Sequence, residues 1–79
     1  MTVTVLLFAD LRRQAGSNRL QLELPDAATV RSAAGRIEER LGDGRLRGAM
    51  CAVNERYADP ATPLADGDVV AFLPPVSGG

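Results

Sequence analysis

Alternation of apolar and polar positions predicts two strands in the first third of the chain. Residues 2–7 begin by alternating threonine with valine, and this period of two is typical of a strand. Residues 19–24 read Arg-Leu-Gln-Leu-Glu-Leu, the most regular alternation in the sequence, and Pro25 ends that run. Between the two strands, residues 9–16 have the composition of a short helix that Gly16 would cap. The second strand is therefore expected to turn back along the first.

The next apolar pattern has the period of a helix. Four apolar residues are separated by four, three and four positions, which places them on one stripe facing a core. They are Val30, Ala34, Ile37 and Leu41. Thr29 is the predicted N-cap, and the Gly-Asp-Gly sequence over 42–44 ends the helix.

Short apolar runs predict the remaining strands. Residues 49–54 form a buried strand, a short strand follows, and residues 69–73 form the last strand before Pro74 and Pro75. The order is strand, strand, helix, strand, short strand, strand. This order indicates an α+β architecture in which one main helix packs on one face of a single sheet of four to five strands.

The size of the chain limits it to one domain. Its 79 residues, 46% hydrophobic and 24% charged, suffice for one compact core, and no linker divides them. The formal net charge is −1, and all nine basic residues are arginine, so no basic field is present to bind nucleic acid. The longest apolar runs have five residues, and no secretion signal is visible, so we expect a cytoplasmic protein without a membrane partner.

Several residue types that carry chemistry are absent from the sequence. It contains no histidine and no lysine, which excludes a histidine base and a Schiff-base lysine. A single cysteine, Cys51, lies in an apolar run and is expected to pack in the core. The glycines over 42–48 lack the spacing of a dinucleotide loop, and Asp66-Gly67-Asp68 is a tight turn without the other ligands of a calcium loop. We therefore expect no metal and no cofactor bound by this chain.

The carboxyl end has a composition suited to projection from the domain. Residues 74–79 read Pro-Pro-Val-Ser-Gly-Gly, and prolines stiffen a segment whereas terminal glycines allow another backbone to approach closely. Such a tail could present the α-carboxylate of Gly79 to the active site of another protein. The alternative is a frayed chain end without function.

Motifs at both ends of the chain resemble the MoaD/ThiS family of sulfur carriers, most of all MoaD, the small subunit of molybdopterin synthase. The resemblance is most specific over residues 63–79, Pro-Leu-Ala-Asp-Gly-Asp-Val-Val-Ala-Phe-Leu-Pro-Pro-Val-Ser-Gly-Gly. Residues 5–12 and the pair Val53-Asn54 resemble the family as well. One departure is Val69, because an acidic residue is common there in the family.

This resemblance implies a ubiquitin-like β-grasp fold with a mixed sheet over residues 1–79, from which 74–79 project as a tail. It also implies that a MoeB-like adenylyltransferase uses ATP to adenylate the Gly79 carboxylate, which then becomes a thiocarboxylate. The tail would enter the MoaE-like large subunit of molybdopterin synthase, in a heterotetramer, and donate sulfur to a pterin precursor of the molybdenum cofactor. The chain alone would then be a non-catalytic subunit.

The family's exposed apolar patch corresponds here to Phe8, Tyr57 and Leu73. We expect these residues to bind both partners, with Phe8 pointing away from the core because Leu7 points into it. The tail residues of the partner-binding set are Pro74, Pro75, Val76 and Ser77, and the reactive end is Gly78 and Gly79.

Three other functions remain open on the sequence. The chain could be a ThiS-like carrier for thiazole synthesis or a carrier for cysteine synthesis. It could also be a ubiquitin-like modifier that forms an isopeptide bond with a target lysine, or an interaction module with an inert tail.

Overall fold

The predicted order of strands and helix is found in the computed structural model, which describes residues 1–8, 12–13, 16, 18–42, 46 and 49–73. The elements are β1 (Thr2–Leu7), β2 (Arg19–Glu23), α1 (Val30–Leu41), β3 (Met50–Val53), β4 (Arg56–Ala58) and β5 (Val69–Leu73). Most of the short helix predicted over 9–16 lies outside the described residues. Gly16, at φ +73°, has the left-handed backbone expected of a cap.

The strands form one mixed sheet in the order β2-β1-β5-β3-β4. The first and last strands, β1 and β5, are parallel neighbours at its centre, and the other neighbouring pairs are antiparallel. With α1 packed on one face, this is the ubiquitin-like β-grasp arrangement. The predicted fold class, including a mixed sheet with one main helix, is therefore confirmed.

The core lies between α1 and one face of the sheet. Alternate residues of the two central strands are almost fully buried, and one stripe of α1 covers them. These buried residues are Val3, Val5, Leu7, Val70 and Phe72 of the sheet and Val30, Ala33 and Ile37 of the helix. Ala34 and Leu41, which the sequence also placed on the stripe, are partly buried at its margin.

The first turn of α1 is held by the irregular segment before β5. Thr29 is the N-cap, as predicted, and its amide donates to Ser32 Oγ at 3.1 Å. The amide of Val30 donates to the carbonyl oxygen of Thr62, and that of Arg31 to the carbonyl oxygen of Pro60, both at 3.0 Å. These bonds satisfy amides that have no partner within a helix.

Three polar residues, Asn54, Asp66 and Asp68, fix the start of β5, and we call them the β5 clamp. The side-chain amide of Asn54 donates to Asp68 Oδ1 at 3.0 Å, and Asn54 Oδ1 accepts from the Val69 amide at 3.0 Å. Asp66 Oδ1 accepts from the Thr2 amide at 2.8 Å. The clamp therefore ties the start of β5 both to β1 and to the turn after β3.

The tight turn predicted over Asp66-Gly67-Asp68 is present, with Gly67 at φ +87°. The Gly67 amide donates to the carbonyl oxygen of Thr2, and Asp68 Oδ2 accepts from the Ala65 amide, both at 2.8 Å. The two carboxylates thus bind amides of the chain itself, as in a turn.

Two glycines with equally open surroundings are expected to respond to alanine in opposite directions. An added Cβ at Gly35 or Gly67 would meet no atom within 4 Å. Gly35 is exposed inside α1, so Gly35→Ala should raise the free energy of unfolding by about 0.5–1 kcal/mol. Gly67→Ala should lower it by about 1 kcal/mol, because alanine is strained at positive φ.

Urea denaturation of the two variants measures both changes. A loss of stability in Gly35→Ala, or no loss in Gly67→Ala, would contradict the backbone conformations described above.

Candidate functional site: an apolar sheet face beside the root of the tail

The face of the sheet opposite α1 is apolar on β5, on β3 and at the carboxyl end of β1, whereas Thr2 and Thr4 lie on it at the start of β1. Residues paired in register share a face, so Leu6, Ala71 and Ala52 form one row across β1, β5 and β3. All three are half-buried. The open face thus has a floor of small and aliphatic side chains where polar residues would be usual.

A groove of about 580 Å³ runs over this floor, and we call it the open-face groove. Its apolar lining consists of Leu6, Phe8, Ala52, Val69, Ala71 and Leu73. Asn54 and Glu55, in the turn between β3 and β4, complete its lining. Both turn residues have positive φ, +50° and +71°, as in the tight hairpin turns that match the twist of a sheet.

Two of the three aromatic side chains lie on the surface. Phe8 is 41% exposed and Tyr57 is 77% exposed, whereas Phe72 is buried in the core. Phe8 follows the end of β1 and lines the open-face groove. Large exposed aromatic residues on one face of a small domain are typical of a protein interaction surface.

The structure brings two of the three predicted patch residues together. Phe8 and Leu73 both line the groove. Tyr57 does not: it pairs with Ala52 one strand further towards the edge, and it lines a crevice between α1 and the β3–β4 edge. The predicted patch is therefore wider than the groove and reaches the edge strand β4.

The root of the predicted tail lies at this groove. Leu73 is the last described residue, and it is paired with Met50 at the start of β3. On the other side Phe72 is paired with Leu7, so the chain leaves β5 between the end of β1 and the start of β3. The tail residues Pro74, Pro75, Val76, Ser77, Gly78 and Gly79 lie outside the described residues.

Six residues of the groove were not in the predicted site. They are Leu6, Ala52, Asn54, Glu55, Val69 and Ala71. The sequence contained one signal for this surface, because every residue of β5 is apolar. A strand with one face towards solvent normally alternates apolar and polar residues. Val69, which the sequence analysis noted only as a departure from the family, contributes to the groove wall.

The polar part of the open face lies on β2. Arg19, Gln21 and Glu23 are exposed there, and Glu23 Oε1 accepts from the Thr2 hydroxyl at 2.6 Å. The open face is therefore divided into a charged border and an apolar centre, which is the usual anatomy of a protein interface.

Cys51 lies on the helix side of the sheet and is half-buried. It lines a second, apolar crevice of about 410 Å³ between α1 and the β3–β4 edge. Burial raises the pKa of the Cys51 thiol, because the thiolate would lose solvation. The thiol therefore stays protonated near neutral pH, which is unfavourable for a nucleophile.

Neither a metal centre nor a membrane-spanning helix is found in the part of the chain that the structure describes. No group of three or more metal-ligating side chains occurs there. No helix there is long and apolar enough to cross a bilayer.

Comparison of the whole sequence with models of known families shows to which family the chain belongs. The sequence model of the ThiS family matches residues 5–79. The chain belongs to the ThiS family. The family resemblance read from the two ends of the sequence is thereby confirmed.

A curated relative of this ThiS-family chain carries the predicted name. The molybdopterin synthase sulfur carrier subunit of Escherichia coli (strain K12) is 35% identical over 83 residues, which span 98% of this chain and 99% of the relative.

Two solved structures show the same fold over nearly the whole chain. A chain of the protein–protein complex of subunits 1 and 2 of the molybdopterin-converting factor from Helicobacter pylori 26695 is similar at 30% identity and a TM-score of 0.72, with 100% of both chains covered. The small archaeal modifier protein 1 of Haloferax volcanii is similar at 28% identity and a TM-score of 0.83, with 95% of this chain and 98% of that chain covered.

Proposed function

We propose that this ThiS-family chain is the sulfur-carrier subunit of a molybdopterin synthase. The observation that carries the proposal is the full-length similarity to a curated subunit of that name. The family match extends over residues 5–79, which supports a role for the terminal glycine pair. In this role the chain is a co-substrate, and the catalytic groups belong to its partners.

The proposed chemistry takes place at the carboxylate of Gly79. A carboxylate is a poor electrophile, so a partner adenylyltransferase first joins it to the adenylyl group of ATP, and pyrophosphate leaves. Sulfide then attacks the carbonyl carbon and AMP leaves, which produces a thiocarboxylate. The thiocarboxylate sulfur, a soft nucleophile, forms a carbon–sulfur bond with the pterin precursor bound by the large subunit and displaces an oxygen leaving group. Water then cleaves the acyl–sulfur bond, so the sulfur stays on the precursor and the Gly79 carboxylate is regenerated.

The composition of the chain supports a carrier without catalytic groups of its own. It has neither histidine nor lysine, and burial keeps the thiol of Cys51 protonated. The chain therefore offers no imidazole, no lysine amine and no reactive thiolate near neutral pH, which supports a reacting group at the chain end, where the family resemblance puts it.

The open-face groove is the proposed docking surface for the large subunit and for the adenylyltransferase. It lies where β5 leads into the tail, so a partner that covers Phe8 and Leu73 also receives the segment that ends at Gly79. Tyr57 extends the surface towards β4. The prolines Pro74 and Pro75, followed by Val76 and Ser77, then guide Gly78 and Gly79 into the partner's active site.

Sulfur loading is expected to change the mass of the chain. Incubation with a cognate adenylyltransferase, ATP and a sulfide donor should increase the intact mass by the difference between one sulfur and one oxygen atom. The chain that lacks Gly79 should fold normally and gain no mass, and omission of ATP should prevent the gain. Loading that continues without Gly79 would contradict the proposal.

An acidic residue in the groove is expected to weaken docking without unfolding the chain. Phe8→Glu and Leu73→Glu should each reduce affinity for the large subunit about 30-fold or more, since a charge would be buried at an interface anchor. Isothermal titration calorimetry measures the affinity, and circular dichroism tests the fold.

Arg36→Glu is the matched control, because Arg36 is exposed on α1, across the sheet from the groove. It should leave the affinity nearly unchanged. Loss of fold in Phe8→Glu would instead assign Phe8 to the core.

The similarity to an archaeal modifier favours one second candidate, a protein modifier attached to target lysines. A modifier produces a ladder of heavier conjugates on a blot of cell lysate, whereas a sulfur carrier produces a single band. A ladder that disappears on deletion of Gly79 would favour this second function.

A further inference from the structure

The strand β2 is an edge of the sheet with features that favour pairing. It is the outer strand in the order β2-β1-β5-β3-β4, and no strand lies beyond it in the described residues. Its five residues pair with β1 in continuous register, without a bulge, and contain no proline. Edge strands are usually protected by such interruptions or by charged side chains, most often lysine. The strand β2 has no lysine, and its charged residues are Arg19 and Glu23, of opposite sign. The opposite edge, β4, has three residues.

Hydrogen bonds at both ends of β2 show which way its backbone points. Met1 and Leu24 exchange two bonds of 2.7 and 2.8 Å, and the Leu7 amide donates to the carbonyl oxygen of Asn18 at 3.0 Å. Because bonding alternates along an antiparallel strand, Leu20 and Leu22 also direct their backbone groups to β1. The backbone groups of the intervening residues, Gln21 at the centre, therefore point off the sheet edge.

The side chains of Arg19, Gln21 and Glu23 are ordered so that two antiparallel copies of β2 would bring opposite charges next to each other. Arg19, Gln21 and Glu23 follow one another on the open face with positive, neutral and negative side chains, and all three are exposed. A two-fold axis through Gln21 places Arg19 of one copy opposite Glu23 of the other, at both ends of the strand. The same axis places Leu20 opposite Leu22 on the helix face.

We infer that β2 is a self-association surface, at which a second copy of this chain pairs antiparallel with the first. The register is Arg19 opposite Glu23, Leu20 opposite Leu22 and Gln21 opposite Gln21. In this register Arg19, Gln21 and Glu23 occupy the hydrogen-bonded positions of an antiparallel pair. Their backbone amides and carbonyls point off the sheet edge, as those positions require. Opposite charges that face each other across strands add to the pairing.

The resulting dimer has one continuous sheet of ten strands. Both open-face grooves lie on the same side of it, and neither is covered, because β1 separates β5 from the new junction. The two β5 strands are about 24 Å apart, from five strand spacings, and their ends point in opposite directions. Self-association through β2 is therefore independent of the proposed function of the groove and tail.

Charge reversal tests this register. Arg19→Glu places two acidic residues opposite each other, and Glu23→Arg places two basic ones, so each variant should weaken self-association about tenfold or more. The double variant Arg19→Glu/Glu23→Arg should restore it, since opposite charges face each other again. Sedimentation equilibrium of the full chain, from micromolar to millimolar concentration at low salt, measures the constants.

A mixture of the two single variants is the most specific arm of the experiment. One variant is acidic at both positions and the other is basic, so an equimolar mixture should associate more tightly than either variant alone. The proposal is wrong if the wild-type chain remains monomeric at millimolar concentration or if charge reversal has no effect. It is also wrong if Phe8→Glu abolishes the dimer while the charge variants retain it, because the open face would then be the interface.

Amide hydrogen exchange of the wild-type chain gives a test that needs no variant. Rising protein concentration should slow exchange at Gln21 and Glu23, whose amides point off the edge. Exchange at Leu20 and Leu22 should be slow at every concentration. Exchange rates at Gln21 and Glu23 that do not depend on concentration would overturn the proposal.

Discussion

The parallel pairing of β1 with β5 is the contact on which the core and the candidate site both depend. It joins Val5 to Val70 and Leu7 to Phe72 on the helix face, and all four side chains are buried. Each such side chain contributes about 1.5–3 kcal/mol of hydrophobic stabilisation. The same register places Leu6 beside Ala71 on the other face, so one pairing determines the centre of the core and two of the three residues of the groove floor.

The hydrophobic pattern of β5 alone does not determine this register. Every residue of β5 is apolar, so a shift by one position would exchange the core set, Val70 and Phe72, with Ala71 and Leu73. The β5 clamp supplies the missing specificity, because directional hydrogen bonds hold Val69 and the turn before it against β1 and the β3–β4 turn. Polar residues outside the sheet therefore determine which apolar residues face the helix.

The features of the fold that depend on local patterns of residues were predicted from the sequence. The bounds of β1 and α1 and the outward position of Phe8 agree with the structure, because each follows from a period of two or 3.6 residues. The bounds of β5 and the N-cap Thr29 agree as well, but they follow from an apolar run before two prolines and from the residue type of a cap. The sequence did not predict the groove floor, which needs the pairing of three strands. Nor did it predict the bond from Thr2 to Asp66, since these residues are 64 positions apart. For the tail, Pro74 to Gly79, the sequence remains the only guide.

In the proposed function, the folded sheet binds the partner protein and the tail carries the reacting carboxylate. The most direct measurement is kcat/KM for adenylation of the whole chain and of a synthetic peptide that comprises only residues 74–79. The peptide lacks the proposed interface anchors Phe8 and Leu73. Its kcat/KM should therefore be at least about a hundredfold lower than that of the whole chain. Equal values for peptide and protein would mean that the partner recognises the tail alone and that the open-face groove has another purpose.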